Sequence, residues 1–208
     1  MSLHIYAFGS ICRGEYESNS DVDLLVCTSG ENENYDKNKF SIYDYHRLKE
    51  LWKEGNPFAW HLALEAKMIY SSDGVDFVRE LGRPARYSNG EQDCLKFKAL
   101  FDDACEQLIT YNTSQTFQIS CVFLAIRNFA TCYSLHEQKP VFSRYSPFKI
   151  SPILQLTPDI YSILLRARVL STRGVGDRLR SDEIEIVKDN LNVVRSWMNE
   201  ILGGFCNE

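Results

Sequence analysis

A Gly-Ser turn followed by two aspartates holds the residues of this chain best suited, by type and spacing, to chemistry. Phe8-Gly9-Ser10 leads to Arg13-Gly14 and then to Ser20-Asp21-Val22-Asp23-Leu24-Leu25-Val26. Glycine lets a backbone come close to a bulky anion, and a turn offers N–H groups, here with the Ser10 hydroxyl, to phosphate oxygens. Asp21 and Asp23 are two residues apart, so on a strand both carboxylates point the same way. Like charges on one face repel unless a cation neutralises them. Hard carboxylate oxygens suit Mg²⁺ bridging nucleotide phosphates. The plainer alternative is a strand end dressed with solvated aspartates, but Asp is a poor strand former, and the preceding Gly9-Ser10 turn favours the metal. Gly9 and Ser10 are therefore expected at the phosphates. Arg13 either reaches phosphate or is a loop surface charge, and Ser20 joins the nucleotide-binding set chiefly as a cap of the returning loop.

Two short apolar strands must hold these groups, one ending at Phe8 and one over residues 22–27. Residues 28–38 are polar and turn-rich. Lys39 to Tyr43 predicts a third strand. Asp44 then stands at the N-cap of a helix that runs from Tyr45 to Glu54 and stops at Gly55-Asn56. A second helix is expected from Phe58 to Leu64, a closing strand from Lys67 to Tyr70, and a short helical stretch over 75–81. Gly82-Arg83-Pro84 and Ser88-Asn89-Gly90 mark a linker. Beyond it apolar residues recur at three and four, predicting helices from Glu91, from Thr116 to Leu135, from Pro158 to Leu170, and from an Asp182 N-cap to Leu202 before Gly203-Gly204. The domains read as 1–82, an α/β sheet with helices on one side, and 91–208, helical.

With 208 residues, 44% hydrophobic and 25% charged, the composition is that of a soluble globular protein. A formal charge of −5 argues against an extended nucleic-acid surface, which needs clustered Lys and Arg. Seven scattered cysteines with no CxxC pair suggest reduced thiols in a cytoplasmic protein, and no apolar run approaches a membrane span. His61 and Glu65, four apart, could hold a metal, but their apolar surroundings favour a packed, hydrogen-bonded histidine. Arg166, Arg168, Arg173, Arg178 and Arg180 form the one basic cluster, read as a solvated surface in preference to a triphosphate clamp.

Gly9-Ser10, Arg13-Gly14 and Ser20 through Val26 resemble the signature of the polymerase-β-type nucleotidyltransferase superfamily, closest to its minimal and aminoglycoside-type branch. The resemblance is densest over residues 3–27 and extends to about residue 74. It implies an α/β nucleotidyltransferase-like mixed sheet followed by an all-α helical bundle domain. It also implies Asp21 and Asp23 as ligands of one or two Mg²⁺ ions, and transfer of a nucleotide from an NTP with release of pyrophosphate. The family pattern expects a third carboxylate on the next strand as general base. Ser41 falls at that position; Asp44 is the nearest acid and a candidate third ligand, but has opposite strand parity and a better explanation as an N-cap. The helix that usually precedes the first strand is also missing here, so an interdomain contact or a homodimer would have to cover a patch of sheet. In the helical half, Arg127-Asn128 matches the start of an Arg-His nuclease motif, but Cys132, Tyr133 and Ser134 occupy the histidine's place, so no nuclease activity is expected.

The expected function is Mg²⁺-dependent movement of an NMP from an NTP, with ATP expected, to a hydroxyl on a small-molecule or protein acceptor. The alternative is a degenerate, non-catalytic module that binds nucleotide or a partner protein, of toxin–antitoxin or regulatory type.

Overall fold

The computed structural model describes residues 2–15, 22–29, 35–111 and 113–205. The chain divides into two compact units, residues 1–88 and 89–208.

In the first unit, strand β1 (Leu3–Phe8) leads into a 3₁₀ turn over Gly9–Arg13. Strands β2 (Asp23–Thr28) and β3 (Phe40–Asp44) follow, then helices α1 (Tyr45–Lys53) and α2 (Pro57–Glu65), strand β4 (Lys67–Ser71) and the short helix α3 (Phe77–Glu80). The sheet order is β3-β2-β1-β4. β1 runs antiparallel to β2 and β4, and β2 parallel to β3, so the sheet is mixed. Alternation along β1 turns His4, Tyr6 and Phe8 to one face. Tyr6 and Phe8, with Leu25 and Cys27 of β2, meet Leu48, Leu51 and Trp52 of α1 and Ala59 and Leu62 of α2, and Val78 completes this core. Helix starts follow local chemistry. Asp44 accepts the Arg47 N–H at 2.7 Å, and Asn56 accepts the Phe58 N–H with Pro57 in the first turn. The segment expected as a linker is tied down as far as Ala85, because the indoles of Trp52 and Trp60 donate to the carbonyls of Gly82 and Ala85 at 2.9 and 3.0 Å.

The second unit holds α4 (Gly90–Thr110), α5 (Gln115–His136), α6 (Pro158–Arg173) and α7 (Ser181–Phe205). α5 is its central element, burying Ile119, Val122, Phe123, Ile126, Phe129 and Ala130 against its neighbours. α7 buries Ile184, Val187, Leu191, Val194, Met198 and Ile201, a three-and-four spacing that makes one apolar face. Two boundaries differ from the sequence reading. α7 continues through Gly203-Gly204, because the Phe205 ring packs 4.5 Å from His136 and 5.9 Å from Tyr133, and that contact outweighs the glycine penalty. Asp182 lies inside the first turn of α7; the capping contact is made by Glu183, which accepts the Arg180 N–H at 2.8 Å. Among the described residues, no helix is long and apolar enough to cross a membrane. All six described cysteines are free. Burial pushes the Cys27 thiol up to about 12, which makes it inert as a nucleophile.

Candidate functional site

The turn after β1 and the start of β2 are adjacent because Phe8 pairs with Asp23 across the antiparallel ladder. Gly9 has φ +79°, and a β-carbon there would lie 2.3 Å from Asp23 Oδ2. The Asp23 carboxylate thus rests against the bare α-carbon of Gly9, where any side chain would displace it. Ser10 follows within the 3₁₀ turn, half-buried, and the turn closes on Gly14 at φ +72° with Glu15 N–H donating to Ser10 O at 2.9 Å. Phe8 precedes the turn and has no side-chain acceptor with which to cap its first N–H groups. Gly9, Ser10 and Asp23 are therefore brought together. Asp21 and Ser20 lie outside the described residues.

Arg13 points elsewhere than the sequence alone suggested. Its guanidinium is engaged by Glu15, at 3.1 Å, and by Glu65 of α2. Glu65 also lies 2.8 Å from His61 Nε2, and the His61 ring stands edge-on to Phe8 at 5.5 Å. His61 and Glu65 thus join the turn over Gly9–Arg13 to α2 through Arg13. Cys12 lies in the same neighbourhood, its thiol pushed up by burial while Lys67 opposes the shift.

Asp44 does not join Asp23. β3 continues in parallel register with β2, Leu24 opposite Phe40 and Thr28 opposite Asp44. Asp44 is therefore about five residues further along the sheet than Asp23, on the order of 16 Å, and on the other face. Its carboxylate is occupied as the α1 cap. Ser41 pairs with Leu25 and so shares the face of Asp23. A cleft of about 460 Å³ opens there, lined by Val22, Asp23 and Leu24 on one side and by Lys37 through Ser41 on the other. Lys37 and Lys39, in the turn ahead of β3, were not singled out in the sequence, because only the cleft brings them beside Asp23. Among the described residues no three His, Cys, Asp or Glu side chains converge on one point.

The arginine cluster is largely engaged within the helical unit. Arg166 pairs with Glu183, Arg180 with Asp182, and Arg168 Nη1 lies 3.5 Å from the Ser120 hydroxyl. Arg127 donates to Asn128 Oδ1 and to the Phe142 carbonyl, each at 3.3 Å, a role in holding the chain after α5.

Residues 2–81 match the family model of the nucleotidyltransferase domain. That stretch lies within the first unit, and a helical part follows it. A comparison with curated proteins gave no match. Among solved structures, the chain is similar to spectinomycin adenyltransferase AAD(9) from Enterococcus faecialis, crystallised with ATP and spectinomycin. The identity is 16% and the TM-score 0.44, over 97% of this chain and 92% of that one. What that enzyme binds is a property of that enzyme.

Proposed function

We propose that this chain is a Mg²⁺-dependent nucleotidyltransferase that moves an NMP from an NTP, ATP by preference, to an acceptor oxygen and releases pyrophosphate. The observation that carries the reading is the contact between Gly9 and Asp23. A carboxylate seated against a side-chain-free turn places a cation ligand beside backbone that a phosphate can approach closely. The donor chemistry fits Mg²⁺, which takes one or two hard carboxylates and completes its shell with water and phosphate oxygens. Asp23 is an exposed carboxylate at the start of β2, and Asp21 is the second ligand on this reading. When bound, Mg²⁺ neutralises charge on the transferring phosphate and orients it. Ser10 and the turn N–H groups hold the β- and γ-phosphates. Arg13, with Glu65 and His61, holds the turn in shape rather than contacting phosphate.

The second reading is a module that binds without catalysis, and one observation favours it: Ser41 stands where the resemblance expects a carboxylate. Calorimetric titration of ATP with and without Mg²⁺, on the wild type and on Asp23→Asn, tests the site; pyrophosphate release in the same samples tests turnover. The expected result is Mg²⁺-dependent binding that Asp23→Asn weakens at least about tenfold, as removal of one charged ligand should. Equal binding by both proteins would remove Asp23 as a ligand. Binding without pyrophosphate, across neutral and anionic acceptors, would favour the module.

A further inference from the structure

Asp23 has two flanks. On one lies the Gly9 turn; on the other lies the cleft that Asp23 shares with Lys37, Asn38, Lys39 and Ser41. Ser41 pairs with Leu25 and so shares the face of Asp23, and Lys37 and Lys39, in the turn just ahead of β3, line the same cleft. Lys37 and Lys39 are exposed, and among the described residues neither side chain forms an ion pair or hydrogen bond. The described lining thus carries two ammonium groups and one carboxylate, a positive balance in a chain of net charge −5. A solvated lysine pair needs no ligand, but these two line a concave site next to the proposed metal ligand, together with a hydroxyl donor. Ammonium groups and a serine hydroxyl in one cleft match an oxyanion.

We propose that this cleft receives the acceptor and that the acceptor presents a phosphate-class oxyanion as its attacking group. The proposal rests on the nucleotidyltransferase reading and names its substrate class. An anionic oxygen has no proton to lose, which accords with a hydroxyl, Ser41, at the position where a general base would stand. The oxyanion lone pair forms the new O–Pα bond. The Pα–O bond to the β-phosphate breaks, and pyrophosphate leaves with that electron pair. The product is a phosphoanhydride, and no proton changes hands. Lys37 and Lys39 hold the acceptor anion beside the α-phosphate and offset the repulsion between the two.

The same lysines could instead meet the triphosphate of the NTP, and the experiment separates the two sources. The full chain and a Lys37→Met/Lys39→Met double variant are titrated with inorganic phosphate, at low ionic strength, with and without saturating Mg²⁺ and α,β-methylene-ATP. The analogue is also titrated alone. The expected result is phosphate binding to the wild type that weakens at least about tenfold in the variant, with analogue affinity changed less than about twofold. Analogue affinity falling with the lysines would overturn the proposal in favour of a triphosphate contact. Phosphate binding absent from the wild type, or equal in both proteins, would overturn it outright. Failure of the analogue to bind the wild type would count against the nucleotidyltransferase reading, while the phosphate titration without analogue still reads the cleft. Both lysines are exposed, and a thermal melt matching the wild type confirms that the double variant is folded.

Discussion

At Gly9 two independent demands coincide: the backbone has φ +79°, and a β-carbon would lie 2.3 Å from Asp23 Oδ2. Gly14, at φ +72°, has nothing within 4 Å of the corresponding position. The pair separates strain from displacement. Gly14→Ala carries the left-handed backbone penalty alone, about 1–2 kcal/mol of stability, and leaves the carboxylate in place. Gly9→Ala carries the same penalty and also drives Asp23 from its seat. The expected outcome is that both variants melt lower than the wild type, but only Gly9→Ala loses Mg²⁺-dependent ATP binding, by at least about tenfold. Equal loss of binding in the two would mean that turn stiffness, and not the Asp23 position, governs the site. Asp23 and Gly9 stand out in the sequence as residue types suited to a metal and a phosphate. Their contact does not, since it arises from the Phe8–Asp23 register.

Elements explain which acids serve structure. Asp44 ends β3 and caps α1, accepting the Arg47 N–H at 2.7 Å. Asp44→Ala should therefore cost about 0.5–2 kcal/mol of stability and leave ATP binding within about twofold, as measured by urea unfolding and calorimetry. A tenfold loss of binding with unchanged stability would return Asp44 to the site. The β3–α1 junction was readable from its cap chemistry, and so were the four long helices, whose apolar spacing recurs at three and four. What resisted reading depends on contacts between distant residues. Arg13 looks like a phosphate ligand until α2 brings Glu65 beside it. Lys39 looks like a loop charge until it is found lining one cleft with Asp23. Gly203-Gly204 looks like a stop until Phe205 finds His136. In each case local propensity is sound and a partner remote in sequence decides.

On the scale of the whole molecule, the two units carry separate reporters. Trp52 and Trp60 lie in the first and Trp197 in the second, where its indole donates to the Pro152 carbonyl at 2.8 Å. Glu183 is nearly buried in the second unit. Its carboxyl is held below its ordinary value of 4.5, first by the Arg166 guanidinium and next by the Arg180 N–H. A carboxylate whose folded pKa is depressed contributes stability above its unfolded pKa and loses that contribution as pH falls through the folded value. Glu183→Gln removes the charge at every pH. Near neutral pH it should lower stability by about 1–2 kcal/mol, the effect of removing a charge-assisted hydrogen bond to a partly solvated Arg166. As pH falls below 4.5 the wild type approaches the variant, because its own Glu183 becomes neutral. The readout is Trp197 fluorescence in urea, with Trp52 and Trp60 replaced by Phe in both proteins, because a chain of two units need not unfold in one step. A gap between wild type and Glu183→Gln that stays constant from neutral pH to about pH 3 would show that the residue acts by packing and not by charge, since only an ionised carboxylate loses its contribution on protonation.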